Sequence, residues 1–160
     1  MKLIHDTIRG ITAVEVVIGV SIAALVLIFT TNAIVRFVNV GLDIADKTEA
    51  LYLAEDALEI LRFIRDEDWN EVGELTTGTT YYLDVSPSTV AITGTPEIVG
   101  TYARSFVTAP VYRDNASDDI VPSGAGTYAD ADSKYVTATV SWDGGAESVS
   151  LTAILTDINE

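Results

Sequence analysis

The sequence predicts an α+β protein: a long N-terminal helix, membrane-spanning at first and amphipathic afterwards, packs on a C-terminal antiparallel β-sheet. Three observations predict it. Residues 16–35, between Glu15 and Arg36, carry no charge, and a run of about 20 apolar residues is what an α-helix needs to cross a bilayer core of ~30 Å. From Arg36 to Asp68 no proline interrupts the chain, and apolar residues recur at spacings of three and four, the signature of one helical face. Beyond Trp69, glycine and proline punctuate short runs rich in Thr, Val and Tyr, which signals strands and turns.

The chain divides accordingly into residues 1–10, a membrane helix over 11–35, an amphipathic continuation over 36–69 and a β-rich head over 70–160. Within the membrane helix Glu15 is the unusual residue. A carboxylate in an apolar segment is costly in lipid and needs a partner. Lys2 and Arg9 precede the span while the acidic remainder follows it, so the positive-inside rule places the N-terminus in the cytoplasm and the head outside.

The run Arg9-Gly10-Ile11-Thr12-Ala13-Val14-Glu15, with the apolar helix behind it, resembles the N-terminus of type IV prepilins and of the pseudopilins of type II secretion. The resemblance implies that residues 1–10 are a leader. A prepilin peptidase would cut after Gly10 and methylate the new N-terminal Ile11, leaving the helix in place. An ordinary secretory signal is cleaved behind its apolar core instead. Thr12 and Glu15 fall at family positions, and Glu15 would meet the N-terminal amine of a neighbouring subunit in the assembled filament. The implied architecture is the type IV pilin fold. The implied partners are other pilin or pseudopilin subunits, the prepilin peptidase and the assembly platform of a pilus or secretion system. Three departures stand out: Ile11 occupies a position where Phe is most usual, no proline lies within the membrane helix, and no cysteine is present to close a C-terminal disulfide loop. Without the resemblance, the same residues describe a single-span anchor with Glu15 at the membrane interface.

In the second helical half, Ala50, Leu53, Ala54, Ala57, Leu58, Ile60, Leu61 and Ile64 form the apolar stripe, and Glu49, Glu55, Asp56, Glu59 and Arg62 occupy the opposite face. Gly41 marks a bend, a close contact or nothing at all. The segment from Tyr52 to Trp69 is also similar to the region after the membrane helix in minor pilins and pseudopilins. Its plainer reading is core packing with Arg62 and Arg65 paired to nearby carboxylates.

Candidate strands in the head are Thr79–Val85, Thr89–Thr93 and Tyr102–Arg113, with Pro110 predicting a bulge or an edge in the last. A hairpin follows, because Val136, Ala138, Val140 and Trp142 alternate with polar residues, as do Val149, Leu151, Ala153 and Leu155. Asp143-Gly144-Gly145-Ala146 between them is a turn signal. Trp142, at an alternating position, reads as core or interface.

The formal charge of −15, with nine basic against 24 acidic residues, argues against general nucleic-acid binding, which requires clustered Lys and Arg. There is no cysteine, and the one histidine, His5, lies in the leader, so thiol nucleophiles, histidine acid–base chemistry and the usual zinc sites are not expected in the processed chain. An enzyme is not expected. A membrane-anchored carboxylate hydrolase stays as a rival that would need an Asp and a Glu facing each other in a cleft. No cofactor is expected either. The alternative is Ca²⁺ in the Asp114 to Asp132 loop, where Asp114, Asn115, Ser117, Asp118, Asp119, Asp130 and Asp132 supply oxygen ligands, although their spacing does not match an EF-hand and acidic loops are usually solvated turns.

The function expected is a structural subunit, a minor pilin or pseudopilin, of a type IV pilus or type II secretion-like filament. Before assembly it would span the inner (cytoplasmic) membrane once with its head outward, and afterwards it would lie in an extracellular or periplasmic filament. The alternative is a membrane-anchored extracytoplasmic binding module or pilus-tip adhesin.

Overall fold

A computed structural model describes residues 12–86 and 89–158. Helix α1 runs over Ala13–Glu67, and the chain divides at Ile44 into two compact units. In the first unit α1 carries its own polar groups. The hydroxyls of Ser21, Thr30 and Thr31 donate to the carbonyls of Val17, Val26 and Leu27 at 2.7, 2.8 and 2.9 Å. Each hydroxyl is thereby satisfied one turn back, as an apolar environment demands. Gly41 sits inside the helix with open space around the position a Cβ would take, so no close contact within the chain explains it.

In the second unit the rest of α1 lies on one face of a sheet. Ala50, Ala54, Ala57, Leu58, Leu61 and Ile64 are buried, while Leu53 and Ile60 pack at the margin of the core. The stripe expected from the three-and-four spacing is therefore the buried one. After Glu67 the Asp68 carboxylate accepts from the Asn70 amide at 3.0 Å and starts a single turn, α2 (Asn70–Gly73), which the sequence reading did not anticipate. A Cβ on Gly73 would come within 2.7 Å of the Trp69 indole. Glycine there lets Trp69 fold back over the turn, with Val72 buried beneath.

The sheet comprises β1 (Thr80–Ser86), β2 (Thr89–Thr93), β3 (Glu97–Val99), β4 (Tyr102–Asp114), β5 (Thr127–Trp142) and β6 (Glu147–Thr156). All pairings are antiparallel, in the order β2-β1-β4-β5-β6, with β3 also against β4. The α+β class is as the sequence predicts. Two details correct it: β3 was not anticipated, and β5 begins at Thr127, well before Val136. The bulge expected at Pro110 is present, because pairing shifts between Pro110 and Val111, from Lys134 to Asp130 on β5. Between β5 and β6 a short 3₁₀ turn (Asp143–Gly145) takes φ of 51°, 65° and 92° at Asp143, Gly144 and Gly145, the left-handed region that glycine enters without strain.

One core group joins Leu58 and Leu61 of α1 to Phe106, Val136, Ala138 and Leu155. A second joins Ala50 and Ala54 to Tyr102, Val140 and Trp142. Here the Tyr102 and Trp142 rings lie 6.0 Å apart at 58°, a tilted pair that adds to simple area burial.

Candidate functional site: an uncovered apolar helix with a capped end

The site begins at the first described residue. Thr12 precedes α1, and its carbonyl accepts the first helical hydrogen bond from Val16 N–H at 3.2 Å. The Glu15 carboxylate reaches back and accepts from the Thr12 backbone N–H at 3.0 Å and from the Thr12 hydroxyl at 3.1 Å. In return the Glu15 N–H points at Thr12 Oγ1, 3.4 Å away. This is a capping box, which satisfies amide groups that every helix start leaves without partners. The negative carboxylate also sits at the positive end of the helix dipole. Thr12 and Glu15 are thus brought together, and the partner Glu15 needs is supplied within its own chain. Gly10 and Ile11, the expected processing site, lie outside the described residues.

Behind the cap, every Val, Ile, Leu and Phe from Val14 to Ile44 is more than half exposed, up to 80% at Phe37. The helix is long and apolar enough to cross a membrane. A continuous apolar surface of this extent is far larger than soluble monomers leave in water. Such a surface partitions into lipid or packs against other helices.

The head holds the second notable group. Arg104 projects from β4 onto the inner face between Tyr102 and Phe106, is 3% exposed, and grips Glu97 with two bonds of 2.7 and 2.6 Å. Its third contact is Asp56 on α1 at 2.5 Å. The Glu97 carboxylate raises the Arg104 pKa, against burial, with Asp56 adding to it. At the start of the same strand, the Tyr102 hydroxyl lies 3.3 Å from the Glu49 carboxylate. Burial, and then the Glu49 and Asp46 carboxylates, push that hydroxyl's pKa up. The sequence reading missed Arg104. The signal was available, since Tyr102, Arg104 and Phe106 alternate on one strand face and so place a cation inward.

The acidic loop is held by its own hydrogen bonds. Asp114 accepts from the amides of Ala116 and Ser117 at 2.8 and 3.0 Å, and both lower its pKa. Asp130 accepts from Arg113 at 2.6 Å and from the Asp132 amide at 3.0 Å. Burial raises the Asp130 pKa, but the bonds from Arg113, Ser133 and Asp132 outweigh it and the net shift is downward. Asp118 accepts from the Tyr128 hydroxyl. Among the described residues no three acidic groups converge as a metal ion would need.

A groove of about 650 Å³ between the β1–β2 hairpin and β3 is lined by Leu83, Asp84, Thr93, Glu97 and Ile98 among others. It contains an Asp and a Glu, and the Glu97 carboxylate is paired with the Arg104 guanidinium. Compared with family models, curated proteins and solved structures, the chain matches none. Its functional reading therefore rests on these residues and their geometry.

Proposed function

We propose that this chain is a structural subunit of a type IV pilin-like filament, inserted in the membrane by the first half of α1 and drawn from it into a bundle of like helices. The observation that carries the reading is the helix surface from Val16 to Val35, without a charge on any side and uncovered, joined to a folded head. In lipid such a helix is at ease, and moving it against other helices gains little from the hydrophobic effect. Close packing must supply the cohesion. Gly19, Ala23 and Ala24 keep the backbone accessible to a neighbour.

In this reading residues 1–10 are removed after Gly10, Ile11 becomes a methylated N-terminus, and the Glu15 carboxylate exchanges part of its Thr12 cap for the amine of an adjacent subunit. The head faces away from the cytoplasm. The test is the intact mass and N-terminal sequence of the protein from membranes that contain a prepilin peptidase, beside a Gly10→Ala variant. A chain that begins at methylated Ile11, and is lost in the variant, is expected. An uncut chain in cells with active peptidase overturns the filament reading.

One observation favours a second reading. Glu15 already has its partners in Thr12, so an isolated span has no need of a neighbour's amine. A single-span anchor displaying the head as a binding module fits that fact, and the same mass measurement separates the two.

A further inference from the structure

We infer that Asn115 is an acceptor for N-linked glycosylation, at a site that rests on the outward-facing head of the proposed function. Of Asn32, Asn39, Asn70 and Asn115, only Asn115 is followed by a hydroxyl residue at the second position, in Asn115-Ala116-Ser117. With alanine rather than proline in the middle, this is the acceptor pattern read by oligosaccharide transferases.

The fold presents the triplet as an acceptor must be presented. Asn115, Ala116 and Ser117 form the turn that leaves β4, and all three are exposed. Their backbone is already occupied: Asn115 N–H donates to the Gly126 carbonyl at 2.9 Å, while the amides of Ala116 and Ser117 donate to Asp114. Among the described residues the Asn115 carboxamide takes part in no hydrogen bond, so derivatising it breaks nothing that holds the loop. Ser117 Oγ accepts from the Asp119 amide at 3.4 Å, and its hydroxyl donates to the exposed Asp114 carboxylate, a bond within the turn that a transferase would have to replace. Asn32, Asn39 and Asn70 lie in helices and lack the hydroxyl.

The donor class is an oligosaccharide carried on a polyprenyl phosphate or pyrophosphate, used at the outer membrane face. Asn115 Nδ2 forms a bond to the anomeric carbon, and the bond from that carbon to the phosphate oxygen breaks. The lipid phosphate leaves with the electron pair, and the carboxamide gives up one proton to base. Nothing is oxidised or reduced.

The experiment uses the full chain from the membranes of cells that make it. Trypsin cuts after Arg113 and Lys134, and the peptide between them contains Asn115 as its sole asparagine. Its mass should exceed the sequence mass by whole sugar residues, with fragment ions that place the increment on Asn115. Asn115→Gln and Ser117→Ala should lose the increment, and Ser117→Thr should keep it. In parallel, a membrane-impermeant amine reagent applied to cells stripped of any outer envelope reports whether Lys134 is outside. An unmodified peptide from a labelled head overturns the glycosylation site and leaves the outward topology standing. An unmodified peptide from an unlabelled head overturns both. Sugar that persists in Asn115→Gln overturns the assignment to this residue.

Discussion

The Arg104 guanidinium and the Asp56 carboxylate meet at 2.5 Å across the helix–sheet boundary of the head, with Arg104 almost wholly buried and Asp56 largely in water. This asymmetry decides which partner matters. Arg104→Met strands Glu97, whose side chain is only 14% exposed, and should lower stability by about 3 kcal/mol. Asp56→Asn should cost less than about 1 kcal/mol, because its charge returns to solvent. Urea unfolding of the full chain in detergent, followed by Trp69 and Trp142 fluorescence, measures both. Equal losses would contradict the ranking.

The Thr12–Glu15 cap separates two roles for the acidic residue. A glutamine at position 15 keeps the reach-back bond of a capping box but carries no charge. If Glu15 acts through a neighbour's amine, Glu15→Gln is processed normally and fails to enter filaments. If it acts only as a cap, Glu15→Gln assembles like the parent, and Thr12→Ala, costing about 1 kcal/mol of helix start, is the more harmful change. Filament incorporation by immunoblot of sheared fibres reads the outcome.

Acid should loosen the loop between β4 and β5. Asp114 and Asp130 both have pKa values below the ordinary 3.8. A carboxyl group depressed in the folded state stabilises the fold fully above its unfolded value and loses that contribution as pH falls through the folded one. Asp130→Asn should therefore lower the thermal midpoint at pH 7, and the gap from the parent should close at pH values below 3.8. A gap that stays constant with pH would assign the loss to packing rather than charge.

Salt should stabilise the chain. A formal charge of −15 repels itself in the folded state, and raising ionic strength from 0.1 to 1 M shortens the screening length from about 10 to about 3 Å. The thermal midpoint of the detergent-solubilised chain should rise across that range. The buried Arg104 pair is poorly screened and should not offset the gain. A midpoint that falls would mean that attractive surface pairs outweigh the repulsion.

Much of this fold was legible because its period is long enough to count. The α1 stripe repeats over four turns, β2 lies where its β-branched run lies, and the β5–β6 hairpin announces itself by alternation around Asp143-Gly144-Gly145. What escaped was short or polar. β3 has three residues behind Pro96, too few to show alternation, and the first half of β5, Thr-Tyr-Ala-Asp-Ala-Asp-Ser, carries carboxylates where strands usually carry apolar side chains. Thr127 to Asp130 pair with β4, and Ser133 pairs with Thr156 of β6. The pattern Thr12-x-x-Glu15 ahead of an apolar run is a helix-start signature that local chemistry explains without any second chain, and reading Glu15 only as a carboxylate in need of a partner passed it over.

The shift at Pro110 has a further consequence. Before it the inward residues of β4 are Tyr102, Arg104, Phe106 and Thr108, and after it the buried residue is Val111. On β5 the inward set likewise moves from Val136 to Ser133. The irregularity thus acts as a phase reset between two halves of one hairpin. Residues added to the exposed turn from Asn115 to Gly126 leave that phase untouched, whereas a single deletion between Asp130 and Lys134 rotates the far half by a full side-chain step. Diversity can accumulate at the tip of this hairpin while its neck tolerates no change in length.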